Sequence, residues 1–221
     1  MKKVIIITTW IFVTSIINCY SQEYEYQDKT IIGVFDVNKK NKTEIFNSIS
    51  KWIALNYNSA MDVVQLKNAE SGVIVVKGIN ESTFKNARKE FYKDEYQNEL
   101  GIIKFNHTME INVKDNKFRI IYTLTDAYTP NGFNDINANA EVMLGFDMVE
   151  FTGLKQEKVD RFNSWVEEIW KIAWISKKKR KKFKTITRPF YEGVIKGVKL
   201  GIKSTMASIY KNVISKKKDD W

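Results

Sequence analysis

Residues 100–125 read Leu-Gly-Ile-Ile-Lys-Phe-Asn-His-Thr-Met-Glu-Ile-Asn-Val-Lys-Asp-Asn-Lys-Phe-Arg-Ile-Ile-Tyr-Thr-Leu-Thr, and this stretch decides the fold. Ile103, Phe105, His107, Met109, Ile111 and Val113 alternate with Lys104, Asn106, Thr108, Glu110, Asn112 and Lys114, the period of a half-buried strand. After Asp115-Asn116 the alternation resumes with Phe118, Ile120, Tyr122 and Leu124. Asp and Asn tolerate the positive φ that a two-residue hairpin turn requires. A turn there pairs Val113 with Phe118, Ile111 with Ile120, Met109 with Tyr122 and His107 with Leu124. All four pairs share one face, and a one-residue slip would destroy that agreement. The stretch predicts a long antiparallel hairpin with one face built to be covered.

Outward from the hairpin, residues 30–37 are rich in β-branched and aromatic side chains and predict a first strand. Asn41 with Glu44 three positions on is a variant capping box. Ile45, Ile49, Trp52 and Ile53 follow at helical spacing, which predicts an amphipathic helix over 43–57. Residues 63–67 and 72–79 predict two further strands around the turn at 68–71. The charged, aromatic-bearing stretch 81–99 reads as a connection, and residues 22–29 as a polar lead-in. Beyond Gly153, Val159, Phe162, Val166, Ile169 and Ala173 form one stripe, widened by Trp165 and Trp170. They predict a second helix that covers the hairpin's apolar face. The expected fold is α+β: an antiparallel sheet of about five strands with two helices on one face, in the order β-α-β-β-β-β-α.

The features along 30–125 together resemble a bacterial family of secreted proteins of unknown function whose domain has a TATA-binding-protein-like (TBP-like) fold. The resemblance rests on the strand at 30–37 and the helix bearing Trp52. It continues through Asp62-Val63-Val64-Gln65-Leu66, Gly72-Val73-Ile74-Val75-Val76-Lys77-Gly78 and Thr108-Met109-Glu110-Ile111-Asn112-Val113-Lys114-Asp115. It implies the TBP-like fold and transfers no catalytic residue.

The net charge of +10 over 221 residues is unevenly placed. Residues 1–21 carry +2, residues 22–175 carry 19 basic and 23 acidic side chains, and residues 176–221 carry 15 basic and 3 acidic ones. Three segments follow: a signal peptide over 1–21, an α+β domain over 22–175 and a basic helical extension over 176–221. Lys2 and Lys3 precede a short apolar run, and Cys19 and Ser21 suit cleavage before Gln22, so export to the periplasm or cell envelope is expected. The alternative is a lipoprotein anchored at Cys19. One cysteine and one histidine exclude an internal disulfide framework and Cys/His metal spacings. No cofactor is expected.

Nucleic-acid binding by the body is not expected. The hairpin's open face shows Thr108, Glu110, Asn112, Thr123 and Thr125, and a net acidic body opposes phosphate. His107, between Phe105 and Met109, reads as a core histidine. Asp126, Asp135, Asp147 and Glu150 read as solvated loop acids, with a hard-cation site as the rival account. No nucleophile–base order, phosphate-cradling glycine loop or paired-carboxylate motif stands out, so no enzyme and no small-molecule substrate are expected.

The extension carries the candidate binding residues. Lys177, Lys178, Lys179, Arg180, Lys181 and Lys182 form a basic run suited to an anionic membrane surface or an acidic envelope protein. Val194, Ile195, Val198, Ile202, Met206, Ile209 and Val213 share one side of a helical wheel. They predict a helix whose Ile195, Val198, Ile202 and Ile209 lie on a bilayer or a partner, the bland alternative being a fold back onto its own domain. Gly193, Gly197 and Gly201, spaced by four, form a ridge that admits close backbone packing. The leading function is a non-enzymatic envelope module whose tail associates with a membrane surface or protein partner. The competing class is a ligand-binding or enzymatic domain using the acidic loops after the hairpin.

Overall fold

A computed structural model describes residues 23–85, 89, 99–128 and 147–215. The 1–21 segment with its cleavage-site residues, and Asp135, lie outside them. Strands β1 (Glu23–Tyr26), β2 (Thr30–Asp36), β3 (Val64–Asn68), β4 (Val73–Lys85), β5 (Leu100–Lys114) and β6 (Lys117–Tyr128) form one sheet in the order β1-β2-β6-β5-β4-β3. Every neighbouring pair is antiparallel. Helices α1 (Lys42–Asn56), α2 (Ala60–Val63), α3 (Gln156–Ile172) and α4 (Lys177–Ile214) complete the described elements.

The long hairpin has the predicted register. Val113 faces Phe118, Ile111 faces Ile120, Met109 faces Tyr122 and His107 faces Leu124, with a bulge between Asn106 and His107. Asn116 supplies the positive φ, at 60°. All eight of these side chains are buried. Helix α1 begins at the expected box: the Asn41 side chain accepts from the Glu44 N–H at 2.9 Å, and a Glu44 carboxylate oxygen accepts from the Asn41 N–H at 2.9 Å. The two reciprocal bonds satisfy donors that a helix start otherwise leaves open.

The sheet has six strands rather than five. Glu23–Tyr26 is an edge strand on β2, and β4 runs on through the stretch expected as a connection as far as Lys85.

Two corrections concern the helices. The partner of α1 on the covered face is α4, not α3. Ile195, Val198, Ile202, Met206, Ile209 and Val213 lie in the same core as Ile31, Phe35, Phe105, Met109 and Ile120. Helix α3 packs on α4 instead, in a second cluster of Met148, Val159, Phe162, Val166, Phe183 and Tyr191. The extension from 176 onward is therefore part of the fold, and the boundary expected at 175 falls inside one packed body. The physical reason is that α1 alone cannot cover so long a hairpin, and α4 offers a longer apolar stripe than α3.

Candidate functional site

The ridge Gly193, Gly197 and Gly201 does bring a backbone close, and that backbone is the end of β4. A Cβ on Gly197 would stand 2.3 Å from the Thr83 carbonyl oxygen, one on Gly193 3.0 Å from that of Lys85, and one on Gly201 3.0 Å from Ser82 Oγ. Ser82 Oγ donates to the Gly197 carbonyl at 2.6 Å. From Gly193 to Gly201 the helix advances about 12 Å at 1.5 Å per residue. From Lys85 to Glu81 the strand advances about 13 Å at 3.3 Å per residue. The two lengths match, so the ridge lies alongside the strand over its whole extent.

The expectation that Ile195, Val198, Ile202 and Ile209 meet a bilayer is corrected here. Their relative exposures are 6%, 0%, 0% and 0%, because the sheet is the apolar surface that covers them. The opposite flank is also occupied. Lys203 Nζ lies 4.7 Å from the Tyr24 ring centre and Lys199 Nζ 4.5 Å from that of Tyr26, cation–π contacts that tie β1 to α4. The far end of the helix is fixed to α1: Trp52 Nε1 donates to Ser208 Oγ at 3.0 Å and Asn212 Nδ2 to the Ser48 carbonyl at 2.8 Å. Lys40 Nζ donates to the Val213 carbonyl, placing a cation at the negative end of the helix dipole.

A polar seam runs under this layer. The Tyr57 hydroxyl and His107 Nε2 share a hydrogen bond of 3.0 Å, and the His107 ring stacks on Tyr122 at 4.4 Å. Asn80 Nδ2 donates to Thr205 Oγ1 at 2.8 Å and lies 3.4 Å from the Tyr122 hydroxyl. Gly78 faces His107 across the ladder, and a Cβ there would stand 2.6 Å from the Tyr57 ring. Burial pushes the His107 imidazole down to about 4 and the Tyr57 phenol up to about 12. Both are neutral at pH 7 and bonded to each other through Nε2, while Nδ1 is buried without a hydrogen bond among the described residues; the ring is a core histidine.

Of the acids expected to be solvated, Asp126 is exposed, whereas Glu150 and Asp147 are engaged by basic side chains. Glu150 is 2% exposed, with Oε1 2.6 Å from Lys158 Nζ and 3.5 Å from Lys155 Nζ. Lys158 also reaches Asp147 Oδ1 at 3.2 Å, and Arg161 pairs with the other Asp147 oxygen. Burial alone would raise the Glu150 carboxyl, but the bond and charge of Lys158 and the charge of Lys155 hold it below the usual range. Among the described residues no three His, Cys, Asp or Glu side chains gather as metal ligands. Lysine already fills the place a cation would take.

The basic run opens α4. Ser176 is its N-cap, accepting from the Lys179 N–H at 3.3 Å. Lys177, Lys178, Lys179, Lys181 and Lys182 are exposed, while Arg180 is half-buried and donates back to the Ile175 carbonyl. No acidic residue stands in the first turn. Cations at a helix N-terminus oppose the dipole, each by about 0.3–1 kcal/mol at low ionic strength. The helix dipole therefore disfavours cations in the first turn of α4. Sequence reasoning missed the residues just before it: Ile172 and Trp174, at the α3–α4 junction, are 79% and 94% exposed. Among the described residues no helix is long and apolar enough to cross a membrane.

No curated protein matches this chain. A crystal structure of a TBP-like protein from Parabacteroides distasonis ATCC 8503 is similar at 14% identity over 84% of this chain and 92% of that one, with a TM-score of 0.37. A DUF4468 family protein from Bacteroides ovatus ATCC 8483 is similar at 14% identity over 48% of this chain and 64% of its own, with a TM-score of 0.35. The family model for a domain of unknown function (DUF4468) with TBP-like fold matches residues 33–128, from within β2 to the end of β6. Residues 33–128 of this chain are thus similar to the DUF4468 family with TBP-like fold.

Proposed function

We propose that this protein is an exported, non-enzymatic envelope module that docks peripherally on an anionic membrane surface through the basic run 177–182. The observation that carries this reading is the placement of that run. Its lysines are exposed at the end of the helix where cations are least favourable, while the apolar face of the same helix is occupied by the sheet. A row of exposed cations where the helix dipole opposes them suits an anionic counterpart outside the fold. The filled interface between sheet and helices favours a binding module over the competing ligand-binding or enzymatic class. So does the pairing of Glu150 and Asp147 with lysine and arginine.

Docking of this kind is electrostatic. Each lysine near an anionic bilayer contributes about 1 kcal/mol, and salt screens it. The protein lacking residues 1–21 should co-sediment with phosphatidylglycerol-containing vesicles at low salt and less so at high salt. Glutamine at Lys177, Lys178, Lys179, Lys181 and Lys182 should remove most of the low-salt binding without loss of folding. Failure of the unaltered protein to bind at low salt would end the membrane reading and make an acidic envelope protein the better partner.

A further inference from the structure

Helix α3 ends in a Schellman arrangement. The Trp174 N–H donates to the Lys171 carbonyl at 3.1 Å and the Ile175 N–H to the Trp170 carbonyl at 2.9 Å. Trp174 holds the left-handed position of that motif, at φ 57°. Glycine usually occupies it, because a Cβ crowds the following carbonyl there. A bulky aromatic in this conformation is strained, and strain of this sort persists where the surroundings or a function require the residue.

Burial within the fold does not compensate. Trp174 is 94% exposed and Ile172 79%, whereas Trp170, one turn earlier, packs at a tilt against Phe183, with ring centres 4.7 Å apart. Two large apolar side chains are thus left in water at the tip of the α3–α4 hairpin. Their electrostatic setting is mainly basic, although Glu168 stands one helical turn before Ile172. Lys171 stands between Trp170 and Ile172, residues 177–182 follow the tip, and no carboxylate occurs between Glu168 and Glu192.

We propose that the α3–α4 tip inserts Trp174 and Ile172 into the interfacial zone of an anionic lipid bilayer, while the basic run rests on the headgroup phosphates. The inference deepens the peripheral docking proposed above and depends on it. Three features select a lipid surface as the occupant. An indole combines an apolar body with a polar N–H and is favoured at the boundary of headgroups and chains. Lys171 before it and the basic run after it complement headgroup phosphate. A convex tip carrying two apolar side chains needs only a flat, deformable apolar phase, not a shaped pocket. Insertion is shallow, since no described helix can span the bilayer.

The test uses the chain without residues 1–21 and vesicles of phosphatidylcholine with and without phosphatidylglycerol. The unaltered protein should show a blue shift of tryptophan emission on binding anionic vesicles, and Trp174→Ala should abolish the shift. At high salt, where lysine contacts are screened, Trp174→Ala and Ile172→Ser should each weaken residual binding by about ten-fold, the scale of losing one buried apolar side chain. Glutamine in the basic run should act mainly at low salt. Trp174→Gly, which removes the strained side chain, serves as a second variant and should lose the shift while folding as well as the parent. If all three tip variants bind as tightly as the parent, the insertion is wrong while peripheral docking stands. If the parent ignores anionic vesicles at low salt, both fail.

Discussion

Helix α4 is one continuous element of 38 residues, yet its two ends are held by different surfaces. Residues 190–213 lie in the groove of the sheet. Val194, Ile195, Val198, Ile202, Met206, Ile209 and Val213 are buried, and glycines admit β4. Residues 177–188 stand on α3 through Phe183 and Thr187, the latter donating to Asn163 Oδ1 at 2.7 Å, and through the Lys184–Glu167 pair, while Lys177, Lys178, Lys179, Lys181 and Lys182 are exposed. Pro189 separates the two, removing the helical bond to the Thr185 carbonyl. One end fills the core of the sheet; the other packs on α3 and carries the exposed basic run. The comparison also shows that an apolar stripe reports that a face is covered, not what covers it.

The sharpest way to break this comparison is to remove the embedded half. Ile202→Asp would bury an unpaired carboxylate among Met206, Val198 and the sheet, a change expected to cost about 3–5 kcal/mol or more. Truncation after Ser176 would uncover the face under α4 altogether. Both should abolish the cooperative thermal transition. A truncated chain of residues 22–175 that melts cooperatively near the parent Tm would show that α4 is an appendage after all.

The sequence made the hairpin and α1 legible, because alternation, the Asp-Asn turn and the Asn41–Glu44 box are local signals. It hid the end of β4 for a specific reason. Residues 81–85 meet a glycine ridge and hydrogen-bond to it through Ser82, so the strand needs no apolar alternation there. Strand β1 was hidden too, because an edge strand of alternating Glu and Tyr has the composition of a polar loop. The exchange of α3 for α4 was illegible because both helices are amphipathic, and periodicity does not identify partners. Within the candidate site, the basic run was plain from composition. Trp174 was not, since a left-handed backbone and exposure leave no periodic trace. An aromatic just past the last stripe residue, where glycine would be expected, was the available signal.

The second way to sharpen the comparison is acid. His107 in the embedded region titrates at about 4 when folded, against an ordinary value of 6.5, because burial disfavours the imidazolium. The unfolded chain therefore binds the proton more readily. Stability from the neutral imidazole is present above 6.5, falls as pH drops through that window, and is lost below 4. The difference corresponds to about 3 kcal/mol at 1.36 kcal/mol per pH unit. As the chain has one histidine, its imidazole resonance can be followed by NMR without ambiguity. Chemical-denaturation stabilities should fall between pH 6.5 and 4 more steeply in the parent than in His107→Gln. Equal slopes would show that the ring is not held neutral in the fold.

A smaller effect is expected at the ridge. Gly197→Ala puts a methyl 2.3 Å from the Thr83 carbonyl oxygen, a backbone atom that cannot rotate away. The helix gains intrinsic propensity of about 1 kcal/mol from the loss of glycine. Overpacking costs of about 1–3 kcal/mol oppose it, so the net result should be destabilising. At Gly193, where the nearest atom is 3.0 Å away, the same change should be milder. The order of the two Tm losses, Gly197 greater than Gly193, is the check on how closely α4 approaches β4.

The smallest effect lies at the exposed end and has the opposite sign. Trp174→Gly removes a left-handed strain of about 1–2 kcal/mol, and the side chain lost is 94% exposed, so little packing goes with it. The extra backbone freedom of glycine in the unfolded chain offsets about 0.5–1 kcal/mol of that gain. The Tm should therefore stay level or rise by a few degrees, while Ile202→Asp in the embedded half unfolds the protein. A residue whose removal leaves stability intact or improved is one the fold does not need, and its retention then points outward, to the surface the hairpin tip meets. A clear fall in Tm on Trp174→Gly would instead make the indole part of the α3–α4 packing, and the contrast between the two ends of α4 would lose its clearest marker.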